Sequence, residues 1–206
     1  MAMPDFSRYR VRILCEDKEH NSFVRAFFKS LGVGERKFDT CPLVDGKRSA
    51  EGHVRGLLPD ALAEIRKTSE NIFLVAVSDA DKNNPNLADR EKQWNEALRF
   101  GGFPEICEAD RILRVIPKRN IETWFAWLDG EEAIDEAKDY KQGYKGAKAA
   151  QYGKRFYKKY KNYKEKQETA CDNAPPSIRG ACFEFDRFCR ALDEHERQRE
   201  SSTRNA

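Results

Sequence analysis

Residues 75–84 read VAVSDADKNN. An apolar run stops at Ser78, and two carboxylates, Asp79 and Asp81, follow with one small residue between them. In extended backbone, residues two apart point the same way, so the pair can face one ligand together. Carboxylates crowded within a few ångströms repel, and some must take up protons unless a cation intervenes. Hard oxygen donors suit Mg2+ or Mn2+, and Mg2+ typically keeps water and phosphate oxygens beside one or two carboxylates. The pair is therefore read as holding a divalent metal. The bland account is a turn, because aspartate and asparagine follow strands to close turns.

The elements that must position this pair can be read from periodicity. Tyr9 to Cys15 is a strand ended by Glu16 and Asp17. Phe23, Val24, Phe27, Phe28 and Leu31 have helical spacing over 19–31, with Gly32 as a stop. Lys37 to Val44 is a weaker strand, and 45–56 (DGKRSAEGHVRG) reads as a mobile basic loop. A helix over 57–68 leads to a strand at Ile72–Val77. Then come a helix over 88–99, a strand from Arg111 to Ile116 cut off by Pro117, and a helix from Ile121 to Leu128. This alternation predicts an α/β fold with a mainly parallel sheet flanked by helices. In strand order 2-1-3-4, the first and third strands are neighbours at the switch point, where such sheets bind ligands beyond their carboxyl ends. Glu16 and Asp17 would then converge with Asp79 and Asp81.

The chain has 206 residues, enough for one core and a small appendage. Charged residues make up 35% of it, and the mean hydropathy is −0.84. No apolar run approaches the roughly 20 residues of a membrane helix, and MAMPDFSRYR has no signal-peptide core, so a cytoplasmic protein with no membrane partner is expected. The six cysteines form no CxxC pair, zinc spacing is absent, and most are expected to be reduced. Gly46-Lys47-Arg48-Ser49 lacks the upstream glycine of a Walker A loop.

The net charge of +3 hides an asymmetry: Lys138 to Lys166 holds eleven basic residues against Asp139 and Glu165. Tyr140, Tyr144, Tyr152, Phe156, Tyr157, Tyr160 and Tyr163 alternate with lysines there. Cations bind phosphate backbones and aromatic faces stack on unpaired bases, so the segment suits nucleic acid. Lys154, Arg155, Lys158 and Lys159 are its candidate contacts, joined by Lys47 and Arg48 of the basic loop. The same rings also fit a helical packing stripe. Pro175-Pro176-Ser177 begins a last helix near 178–192, and the tail from His195 reads as frayed. The expected organisation is a catalytic unit over 1–130, a basic, tyrosine-rich helical extension over 131–195, and a flexible tail over 196–206.

Leu14-Cys15-Glu16-Asp17-Lys18, followed by a helix with Phe23, resembles the strand–glutamate–helix opening of Toprim domains. Val77-Ser78-Asp79-Ala80-Asp81 is similar to their DxD motif. Ile116-Pro117-Lys118-Arg119-Asn120-Ile121-Glu122-Thr123-Trp124 resembles the strand and Glu-x-Trp helix of small Toprim-like proteins. The resemblance covers about residues 9–128 and points to the Toprim-like nucleases of the overcoming-lysogenization-defect (OLD) and RloB-like groups. Asp17 stands where many relatives have glycine, and His20 where several have an acid. The resemblance implies a Toprim-like, Rossmann-like sheet and metal-dependent phosphodiester hydrolysis at Glu16, Asp79 and Asp81. It also implies Lys118 neutralising charge at phosphorus, and Glu122 as a second-metal ligand. Lys118 and Glu122 equally fit an ordinary ion pair one helical turn apart. His20 is either a proton shuttle or an exposed polar residue. The implied substrate is nucleic acid, DNA ahead of RNA. An ATPase partner, self-association and a role in defence against phage follow on the same ground.

Two other functions fit the same residues. A receiver-like signalling domain would use Glu16-Asp17, phosphoacceptor Asp79 and Lys118, although receivers place lysine before proline. A catalytically inactive binding module would hold nucleic acid through 138–166 with or without metal.

Overall fold

The protein is described by a computed structural model covering residues 3–43, 50–80, 87–166 and 174–204. Four strands, β1 (Arg10–Cys15), β2 (Phe38–Thr40), β3 (Ile72–Val77) and β4 (Ile112–Val115), form one sheet in the order β2-β1-β3-β4. All three pairings are parallel. All six residues of β3 are buried, as a central parallel strand covered on both faces requires. Among the described residues six α-helices complete the fold: α1 (Lys18–Ser30), α2 (Ala50–Lys67), α3 (Leu87–Phe100), α4 (Glu122–Asp129), α5 (Ala149–Lys166) and α6 (Pro176–Arg204).

The sheet divides two cores. On one face α2 and α3 bring Val54, Leu58, Leu62, Trp94 and Leu98 against Leu14, Leu74 and Ile112. On the other, α1, α4, α5 and α6 enclose a cluster of rings that includes Phe23, Phe28, Phe73, Trp124, Phe156 and Phe188. The basic extension is therefore built into this face. Phe156 stacks on Trp124 at 5.4 Å and Tyr152 on Phe125 at 4.2 Å. The Tyr160 hydroxyl donates to Asp186 at 2.9 Å. These rings face inward, so the packing stripe describes them and base stacking does not.

Helix α5 approaches α1 closely because Gly153 has no side chain. A Cβ there would lie 2.2 Å from the Phe23 carbonyl oxygen.

The outer edge of β4 is covered by side chains of α6. Glu184 accepts from the Arg114 backbone N–H at 3.2 Å and from its guanidinium at 2.6 Å. Arg187 donates to the Ile112 carbonyl and, at 3.1 Å, to that of Asp110. Side chains thus satisfy an edge that would otherwise be open to another strand.

Two sequence expectations are corrected. The expected loop over 45–56 gives way to α2 from Ala50, which runs through Gly52, Gly56 and Pro59. Burial of Val54 and Leu58 outweighs the helix-breaking residues. The expected flexible tail over 196–206 is, as far as residue 204, the last part of α6. His195 lies 3.1 Å from Arg111, Glu196 pairs with Arg8 at 3.6 Å, and Arg199 donates to Asn71. Cys15, Cys41 and Cys107 are free thiols, whereas Cys182 is disulfide-bonded. Among the described residues no helix is long and apolar enough to cross a membrane.

Candidate active site at the carboxyl edge of the sheet

Strands β1 and β3 are in register up to Cys15 and Val77, so the residues that follow them emerge side by side. Glu16 spans that gap. Its Oε1 accepts from the Ser78 hydroxyl at 2.5 Å and from the Asp79 backbone N–H at 3.1 Å. Arg90, buried in the first turn of α3, donates to the Asp79 carbonyl at 2.7 Å. His20 is fully buried, and its Nε2 lies 3.1 Å from Asp79 Oδ1. The Asp17 carboxylate caps α1 by accepting the His20 backbone N–H at 2.8 Å.

Each of the two central carboxylates is thus anchored through one oxygen. No hydrogen bond to a described residue is recorded for Glu16 Oε2 or Asp79 Oδ2. The Asp79 side chain keeps 13% of its surface exposed, enough to meet a ligand.

Lys118 reaches the same edge through a continuation of the β3–β4 ladder. Ala80 and Lys118 form an isolated parallel bridge, with the Ala80 N–H on the Pro117 carbonyl at 2.8 Å and the Arg119 N–H on the Ala80 carbonyl at 3.0 Å. Arg119 is left-handed (φ 67°), the one such non-glycine residue among those described. That conformation costs on the order of 1 kcal/mol. It is held by bonds from the Arg119 guanidinium to the Ala137 carbonyl at 2.9 Å and to Asp139 at 3.4 Å. Strain of this kind concentrates where a neighbouring side chain must be aimed. The alternative reading of Lys118 and Glu122, an ion pair one helical turn apart, does not describe them: among the described residues the two form no salt bridge. Glu122 instead has a buried Oε2 with no hydrogen-bond partner.

Burial and crowding raise the acids at this edge. Burial, and then the charge of Asp79, push the Glu16 carboxyl up to about 7 despite its bond from Ser78. Burial also raises the Glu122 carboxyl, and Asp79 adds to it. The His20 imidazole is raised as well: burial would lower it, but the charge and hydrogen bond of Asp79 lift it to about 9. Two crowded, all-oxygen donors with one free oxygen each suit a hard divalent cation. Among the described residues no group of three His, Cys, Asp or Glu side chains is arranged to hold one. Asp81, the third expected ligand, lies outside the described residues.

The structure therefore brings Glu16, Asp79, Lys118 and Glu122 to one edge. The expectations for Lys47 and Arg48 also fall outside the described residues. Of the candidate nucleic-acid contacts on α5, Lys154 and Lys158 are exposed. Arg155 is committed to the end of α4, where it bonds Asp129 and the Leu128 carbonyl. The Lys159 ammonium sits 3.7 Å from the centre of the Trp127 ring.

Sequence reasoning missed Ser78 and Arg90, and it placed His20 either at solvent or as a shuttle. The signal for His20 was available: it follows Glu16 by four residues and the helix cap Asp17 by three. The first turn of α1 therefore turns it back to the strand end. Comparison with models of protein families, with curated proteins and with solved structures finds no match to this chain.

Proposed function

We propose that the protein is a divalent-metal-dependent nuclease that hydrolyses phosphodiester bonds of nucleic acid. The observation that carries the reading is the anchoring of Glu16 and Asp79 through one oxygen each at the ends of adjacent parallel strands. Glu16 and Asp79 would hold Mg2+ or Mn2+, with Asp81 as the third ligand. A cation there supplies Lewis-acid polarisation of a phosphoryl oxygen and activation of water. The chain's own groups do the rest. Lys118 neutralises charge that develops on the phosphate, in a place where preorganised charge acts strongly. Arg90 and Ser78 hold the two carboxylates and their backbone in place. Lys154 and Lys158 supply phosphate contacts on the exposed face of α5. DNA is favoured over RNA as substrate, in the cytoplasm. A partner ATPase, self-association and a role in phage defence extend the same reading from the resemblance to Toprim-like nucleases. Co-purification from the native host tests the ATPase.

The bridge between Ala80 and Lys118 also favours a second reading, a receiver-like domain phosphorylated at Asp79. Against it, His20 occupies one oxygen of Asp79, and Asp17 is spent as a helix cap. Incubation with a small phosphodonor separates the two: a receiver gains a phosphoryl group at Asp79 and cuts no nucleic acid.

A further inference from the structure

His20 cannot touch a substrate, because none of its surface is exposed. It nonetheless lies against the most important carboxylate of the site. Its backbone N–H is fixed by Asp17 at 2.8 Å, and its Nε2 meets Asp79 Oδ1 at 3.1 Å. A carboxylate oxygen is an acceptor, so Nε2–H is the donor. The other ring nitrogen, Nδ1, is buried without a hydrogen bond, although Asp17 Oδ1 is 3.3 Å away. The ring is thus held for one contact, the contact to Asp79.

Two further restraints act on the same residue. The Asp79 N–H is bound by Glu16 and its carbonyl by Arg90. With the backbone fixed on both sides, the remaining freedom is rotation of the carboxylate. His20 removes it by taking Oδ1, which leaves Oδ2 as the free oxygen.

We propose that His20 is a positioning residue that fixes the Asp79 carboxylate so that Oδ2 binds the divalent cation beside Glu16. This rests on the metal-site reading above. Partners that orient a ligating carboxylate typically contribute 10–100-fold to metal affinity.

The test is Mn2+ binding by calorimetry to wild type, His20→Phe and His20→Gln, with melting curves for all three. Phenylalanine fills the space but donates nothing; glutamine restores an N–H donor. The expected result is an affinity for Mn2+ that falls about 10–100-fold in His20→Phe and largely recovers in His20→Gln. A His20→Phe protein that melts cooperatively and binds Mn2+ as wild type does would overturn the inference. A measurement on wild type guards against a variant that fails to fold. The His20 Nε2–H resonance should be protected from exchange and should shift when Mg2+ is added, and an unprotected, unresponsive resonance overturns the inference too. Wild type that binds no Mn2+ overturns the metal-site reading and the inference with it. Wild type that binds Mn2+ without cutting nucleic acid, and loses binding in His20→Phe, supports the inference while overturning the nuclease.

Discussion

Glu16 reaches from the end of β1 to the backbone of Asp79 at the end of β3, with its Oε1 3.1 Å from the Asp79 amide nitrogen. One acidic side chain therefore sets the position of the other. Replacing Glu16 would release the Asp79 backbone, and each carboxylate still offers an oxygen to a ligand.

Lys118→Ala should lower the rate of phosphodiester cleavage by on the order of 10²-fold, the usual loss when one preorganised charge is removed. Lys118→Arg should recover part of it. Unchanged melting in both would assign the loss to chemistry. Single-turnover cleavage rates are the measurement.

Binding and stability should separate along α5. Lys154→Glu and Lys158→Glu should weaken nucleic-acid binding and flatten its salt dependence by about 0.9 per lost phosphate contact. Arg155→Ala should leave binding nearly unchanged and lower the melting temperature, because Arg155 bonds the end of α4. Fluorescence anisotropy against salt concentration reads the first effect, and calorimetry the second.

Gly153→Ala should destabilise the fold by about 1–3 kcal/mol, the usual cost of overpacking. The added Cβ would fall 2.2 Å from the Phe23 carbonyl oxygen, which is backbone and cannot swing aside. Thermal unfolding should move down by about 2–4 °C for each kcal/mol.

Two pH dependences of stability have opposite signs. In metal-free buffer the His20–Asp79 contact raises the imidazole from 6.5 to about 9. Its stabilisation is full below 6.5 and is lost as pH climbs through about 9. His20→Phe should remove that alkaline loss. Glu184 behaves inversely. Burial would raise its carboxyl, but the bonds from Arg114 and Arg187 hold it below the usual glutamate value. Its contribution is present above that value and is lost as pH falls through the lowered one. Glu184→Ala should cost about 1–3 kcal/mol at neutral pH, because it removes the carboxylate that half-buried Arg114 and buried Arg187 share. Urea melts across the pH range measure both.

The strands themselves and the acids at their ends were legible because they follow from patterns local in sequence; the order of the strands was assumed and is supplied by the structure. The short unbroken apolar run Ile72–Val77 reads as a buried strand, and its end marks Asp79. Helix α2 was misread because Gly52, Gly56 and Pro59 argue for a loop, while the burial of Val54 depends on contacts a sequence does not display. The tail was misread for the same reason: its polar residues bond Arg8, Asn71 and Arg111, which are distant in sequence. The spacing of His20 from Glu16 and Asp17 places it near the strand end, but its complete burial depends on the packing of α1 on the sheet, which a sequence does not display.

The most direct test of the central claim is cleavage of plasmid, single-stranded DNA and total RNA by wild type, Glu16→Gln and Asp79→Asn. Each is run with Mg2+, with Mn2+ and with EDTA. Wild type should cut only with metal, and both variants should fall to background. Cutting that survives EDTA, or persists in both folded variants, would contradict the claim.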